Sequence, residues 1–151
     1  MGQKADLAKS LFLEGYNCAQ AVFGAFCEDF GIDKETGLVI SSGFGGGVAR
    51  RREVCGAVSG AVMVLSMKYG YSSAEETEAK KALYEKIRGV LAVIEEETGS
   101  IICRELLGLE EKVSSPVPEE RTEKYYAKRP CAEIVYICAK AVEEHLAGVV
   151  G

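Results

Sequence analysis

The chain has 151 residues and a formal charge of −5, with 48% hydrophobic and 27% charged residues. That length fits one self-sufficient domain over 1–151, and the acidic balance argues against a nucleic-acid partner, whose usual footprint is a basic face. No membrane insertion is expected, because the longest apolar segment, Val54 to Met67, is too short to span a bilayer, and the N-terminus lacks the apolar core and cleavage site of a signal peptide; the protein reads as cytoplasmic.

From the N-terminus, Lys4 to Glu14 reads as a helix with Leu7, Ala8, Leu11 and Phe12 on one face. Gly15 ends it, and Asn17 is a good N-cap for a second helix whose apolar face runs Ala19, Val22, Phe23, Phe26, Cys27, Phe30. A short third helix is expected from Asp33 to about Ile40. Next comes GFGGGVARRREVCGAVSG, Gly43 to Gly60, in which a glycine run and three arginines precede a cysteine. Gly45, Gly46 and Gly47 allow a tight or deeply packed loop. From Val54 the apolar residues predict a buried helix ending near Tyr69, with Gly56 and Gly60 four apart on one face, where another backbone can come close.

Ser73 and Glu76 have the form of a capping box, which predicts a long helix from Ala74 to about Thr98 with Leu83, Ile87, Val90, Leu91 and Ile94 inward. Gly99 ends it, and Ser100 is placed to cap a short helix in IICRELLG. Leu109 to Arg129, with Pro116 and Pro118, reads as a long connection with one turn of helix around Thr122 to Tyr126. Pro130 suits the first position of a last helix to about Leu146, facing inward with Ile134, Val135, Cys138, Ala141, Val142 and Leu146. His145, the only histidine, is expected at the rim near that helix's C-terminus. The expected fold is an all-α bundle of about six to seven helices, with the glycine-rich loop ahead of the Cys55 helix.

The six cysteines divide by position. Cys18, Cys55, Cys103 and Cys131 each fall in the first turn of a different predicted helix, where backbone N–H groups favour a thiolate. Cys27 and Cys138 lie mid-helix on apolar faces and read as core. Arg50, Arg51 and Arg52 add positive charge near Cys55, which makes it the leading thiolate candidate. A lone cysteine is commonly a small buried hydrophobe; four at helix starts shift the balance toward chemistry. A cytosolic chain keeps thiols reduced, so redox or metal chemistry is the question they raise. There is no Cys-x-x-Cys, so a zinc or iron–sulfur cluster would need ligands dispersed over the chain. Gly45, Gly46, Gly47 and Arg51 are the candidates for holding a cofactor or anion, although the loop lacks the lysine-ended phosphate-binding pattern.

NCAQAV around Cys18, CGAVSG from Cys55 to Gly60, the run Ile101 to Gly108 through Cys103, and Pro130-Cys131 together resemble the C_GCAxxG_C_C family over nearly the whole chain. The resemblance implies four defining cysteines, matched by Cys18, Cys55, Cys103 and Cys131, with Cys138 the alternative for the last. It also implies a small prokaryotic protein with proposed redox activity, often encoded near transporter genes. Three readings follow: a thiol redox protein with Cys55 as the reactive thiolate and Cys18, Cys103 or Cys131 resolving it, its redox partner unknown; a protein binding zinc or an iron–sulfur cluster through the same four cysteines; and a non-enzymatic module associated with a transporter.

Overall fold

The computed structural model describes residues 2–109 and 113–149. Positions 1, 110–112, 150 and 151, which the expected domain and the expected connection also span, lie outside the described residues. Among the described residues eight helices form: α1 (Gln3–Leu13), α2 (Cys18–Phe26), α3 (Lys34–Ser41), α4 (Gly56–Tyr69), α5 (Thr77–Thr98), α6 (Cys103–Leu106), α7 (Glu123–Lys128) and α8 (Cys131–Leu146). Among the described residues no helix is long and apolar enough to cross a membrane.

α2 is the axis of the bundle. The Asn17 carboxamide oxygen accepts from Gln20 N–H at 2.9 Å, and the Gln20 carboxamide oxygen accepts from Asn17 N–H at 3.1 Å. This reciprocal cap fixes where the helix starts. Ala19 and every residue from Ala21 to Phe26 are buried. A helix apolar on all sides must be surrounded, and α1, α3, α4 and α8 all pack on it. The helical geometry expected to reach Phe30 tightens into a 3₁₀ turn over Cys27–Phe30 and stops at left-handed Gly31.

Small residues let α4 lie close against α2. A Cβ on Gly60 would stand 2.9 Å from Val22 Cβ and 3.0 Å from the Ala19 carbonyl oxygen, and one on Gly56 would stand 2.4 Å from Cys18 Sγ. The four-residue spacing therefore marks the crossing of the two helices. α5 covers α4 and α8 with Leu83, Val90 and Ile94 buried, while Ile87 and Leu91 pack at the core's edge. Each fully buried Leu, Ile or Val of this kind contributes about 1.5–3 kcal/mol relative to exposure.

Several local expectations are corrected. Ala5, not Leu7, completes the inward stripe of α1; Leu7 is exposed. The Ser73–Glu76 box does not start α5 at Ala74. The Glu76 carboxylate accepts from Ser72 and Ser73 N–H at 3.2 Å each, Ser73 Oγ accepts only from Glu75 N–H, and the helix begins at Thr77. Ile101 and Ile102 stand before the helix, not in it, and extended Ile102 forms an antiparallel bridge with Val54. The turn of helix expected around Thr122 to Tyr126 is present as α7, capped by Thr122. Pro130 stands at the N-cap of α8, one position before the helix proper.

His145 is buried against Tyr69, ring centroids 5.7 Å apart, and neither ring nitrogen has a hydrogen-bond partner among the described residues. It is a core residue, not the rim residue expected. His145→Phe keeps the edge-on aromatic contact and removes two polar atoms buried without protein partners. It is expected to raise stability by about 1 kcal/mol in urea denaturation; a loss of stability would show that the imidazole is satisfied in solution.

Candidate functional site

The loop before α4 builds one wall of the site. Gly46, Gly47, Val48, Ala49 and Arg50 all have φ between 50° and 70°, and Arg52 follows at 62°. Such a left-handed turn costs roughly 1–2 kcal/mol per non-glycine residue. It is held by hydrogen bonds reaching six residues back: Ala49 N–H to Gly43 O at 3.0 Å, Arg52 N–H to Gly46 O at 3.1 Å and Glu53 N–H to Gly47 O at 2.9 Å. The opposite hand of the turn sends Arg50 and Arg52 to the inside and leaves Arg51 exposed.

The chain then pairs with the segment before α6. Cys55 N–H donates to Ile101 O at 2.8 Å and Cys103 N–H to Glu53 O at 2.7 Å. This short pairing sets Cys103 beside the loop. Arg52, 5% exposed, donates through Nη1 to Cys103 Sγ at 3.6 Å and through Nε to Ser114 Oγ at 2.9 Å.

A cavity of about 320 Å³ opens where these pieces meet the starts of α2 and α8, and Cys18, Cys55, Cys103 and Cys131 all line it. Cys18 and Cys131 are half-buried, while Cys55 and Cys103 are buried. Cys18, Cys103 and Cys131 are the first residues of α2, α6 and α8, and Cys55 is the N-cap of α4. Gly45 and Gly46 also line the cavity; Gly47 and Arg51 do not. Gly47, expected with Arg51 among the cofactor-holding residues, is packed against the backbone of Arg52 and Glu53, and Arg51 is exposed.

The four thiols are not equivalent. Cys18 is lowered to about 6, chiefly because the Cys55 thiol donates a hydrogen bond to its sulfur, with N–H groups of Gly46, Ala19 and Cys18 helping against the cost of burial. Cys55 moves the other way, well above the ordinary thiol range, because its proton is held by Cys18 and burial disfavours a second charge. The pair thus behaves as one unit that gives up a first proton easily and a second with difficulty. Cys103 is raised by burial, which outweighs the Arg52 guanidinium. Burial and the negative charge at Cys18 and Cys103 push Cys131 up to about 12. Of the two, Cys18 is lowered and Cys55, the thiolate expected from the sequence, is raised. The physical reason is that Cys18 Sγ lies against Gly56 at the start of α4 and collects donors from two helices and the loop, whereas the arginines expected beside Cys55 serve Cys103 and Glu119.

Cys27 and Cys138 are fully buried and do not line the cavity. Cys131 and not Cys138 is thus the α8 cysteine at the cavity. Among the described residues no group of three or more His, Cys, Asp or Glu side chains is placed to hold a metal ion.

Tyr125, one of two tyrosines able to cover a site, stands in the other wall, and sequence reasoning missed the Glu119, Arg121 and Arg129 that form it with Tyr125. Glu119 Oε1 pairs with Arg50 Nη2 at 3.3 Å and with Arg129 Nη2. Arg121 donates to Phe12 O at 3.0 Å and Tyr16 O at 2.9 Å and stacks over the Phe12 ring, which clamps the connection to α1. The usable signal was two arginines and two tyrosines between Pro118 and Pro130, an odd composition for a solvated linker.

Fold and cavity define an all-helical protein with a cysteine-lined site. A family model described as "Putative redox-active protein (C_GCAxxG_C_C)" matches residues 16–145. The chain belongs to the C_GCAxxG_C_C family. None of the curated proteins and none of the solved structures compared with it matches.

Proposed function

We propose that the protein is a thiol–disulfide oxidoreductase in which Cys18 is the attacking thiolate and Cys55 the resolving thiol. The observation that carries this reading is the packing of Cys18 Sγ against Gly56, directly beside Cys55, at the wall of the cavity. A half-buried thiol with a lowered pKa can attack from the cavity, and the buried partner beside it keeps its proton until needed.

In the reaction the Cys18 thiolate attacks one sulfur of a disulfide, that S–S bond breaks, and the leaving thiolate carries away the electron pair. Cys55 then attacks Cys18 sulfur in the mixed disulfide and loses its proton. A Cys18–Cys55 disulfide and a second free thiol result. The protein is oxidised by two electrons and the acceptor is reduced by two. The reverse direction reduces the protein. Such a cycle belongs in a reducing compartment such as the cytoplasm.

The test is peptide mapping of reduced protein after one equivalent of a small disulfide. The expected product is the Cys18–Cys55 link with Cys103 and Cys131 still alkylatable. A product in which Cys18 and Cys55 both remain free would sink the assignment.

A further inference from the structure

The cavity carries a charge pattern that the dithiol chemistry alone does not use. The whole chain has a net charge of −5, yet among the described residues four arginines line the cavity against one carboxylate, Glu119. Arg121 is committed to backbone carbonyls and to stacking on Phe12. Three guanidiniums remain. Arg52 is 5% exposed and bonds only a hydroxyl and a thiol, with no carboxylate partner among the described residues. A cation buried so deeply without a counter-charge is costly. Arg50 and Arg129 share the single oxygen Glu119 Oε1. Their side chains are 18% and 11% exposed, while that of Glu119 is 40% exposed, so the carboxylate reaches in from the solvent side toward more deeply set cations.

Size limits what can replace it. About 320 Å³ is at the small end of the range for low-molecular-weight ligands, and Pro116 and Pro118 of the connection close one side. A volume of this size beside the Cys18 sulfur suits a small molecule.

We propose that the acceptor attacked by Cys18 is a small anionic disulfide whose carboxylates are held by Arg50, Arg52 and Arg129 in place of Glu119. The inference rests on the dithiol reading of Cys18 and Cys55. A carboxylate on the ligand gives Arg50 and Arg129 two oxygens where Glu119 offers one, and charge-assisted pairing of this kind is the stronger form. The electron bookkeeping is that of the exchange above: the acceptor S–S bond breaks, its two halves leave as one thiolate and one thiol, and Cys18 and Cys55 become a disulfide. Glu119 is then a positioning residue that fills the anion site in the empty protein.

Three small disulfides of similar size separate charge from shape: dithiodipropionate (dianionic), hydroxyethyl disulfide (neutral) and cystamine (cationic). The second-order rate of oxidation of the reduced protein is measured for each and divided by the rate of the same disulfide with mercaptoethanol, which removes intrinsic differences between leaving groups. The expected result is a preference of about tenfold or more for the dianion over the neutral compound at low salt, shrinking as salt is raised. The dianion-to-neutral ratio should fall toward one in Arg50→Gln/Arg129→Gln and rise in Glu119→Gln. Equal normalised rates in the wild-type protein, or a preference that survives the double arginine variant, would overturn the anion site while leaving the dithiol reading intact. Failure of all three disulfides to oxidise Cys18 would overturn both. The salt series on unmodified protein gives an answer even if the arginine variants fold poorly.

Discussion

Replacing Cys18 by serine removes the fast-reacting thiol at pH 7, and replacing Cys55 by alanine shifts the titration of that thiol to higher pH. With Cys18 near 6, about nine tenths of it is thiolate at neutral pH, against about one hundredth for a thiol at the ordinary value of 9.0. Part of this advantage is returned, because nucleophilicity falls with pKa with a slope of about 0.4–0.5; the net gain over a free thiol is several-fold at pH 7 and larger toward pH 6. The alkylation rate of reduced protein should therefore inflect near 6. In Cys55→Ala the principal donor to Cys18 Sγ is gone, so the inflection should rise. An unchanged inflection would mean that the loop and helix N–H groups alone set the acidity. The same shift has a stability signature. Because Cys18 is more acidic folded than unfolded, its contribution is fully present above pH 9 and is lost as pH falls toward 6. Cys131, raised to about 12, contributes fully below pH 9 and its share is lost as pH rises toward 12. Urea denaturation of the reduced Cys18→Ser variant should show a flatter dependence between pH 6 and 9 than the wild-type protein.

The bundle was legible because its signals are local. Asn17 followed by an apolar run, the 3.6-residue spacing of Leu83 to Ile94, and Gly56 with Gly60 each state a helix start, a buried face or a close crossing in a few residues. The four cysteines at helix starts were legible for the same reason. Which of them is acidic was not, because that depends on contacts between segments remote in sequence. Cys18 meets Gly56 and the Gly46 N–H across the α2–α4 crossing, and nothing within NCAQAV announces it. Arg50–Arg52 looked like charge for Cys55 by proximity along the chain; the left-handed turn redistributes them, so that neighbours in sequence face opposite ways. The Glu119–Arg129 wall failed to appear in the reading because the connection has no periodicity, and its order comes from long-range bonds such as Arg121 to Phe12 and Tyr16. The Ser73–Glu76 pattern misled by a few residues because the Glu76 side chain is used to close the preceding turn.

Gly56→Ala is expected to destabilise the protein clearly. The added Cβ would lie 2.4 Å from Cys18 Sγ and 2.7 Å from the Phe44 carbonyl oxygen, closer than any real contact, so α2, α4 or the loop must move. Overpacking of this kind costs about 1–3 kcal/mol, and the usual gain of alanine over glycine within a helix, roughly 0.5–1 kcal/mol, offsets only part of it. Gly89→Ala is the internal control. Gly89 is an exposed position of α5 with nothing within 4 Å of an added Cβ, so that change should stabilise by the helix-propensity difference alone. A double variant separates the two clashes at Gly56. In Cys18→Ala the sulfur is gone, so adding Gly56→Ala on that background should cost less than in the wild-type protein, yet still cost something because the Phe44 carbonyl remains. Residues in contact couple in this way and distant ones add. Strict additivity of the two substitutions would mean that the Cys18 sulfur does not rest on Gly56, and the dithiol pairing that depends on this contact would fall with it.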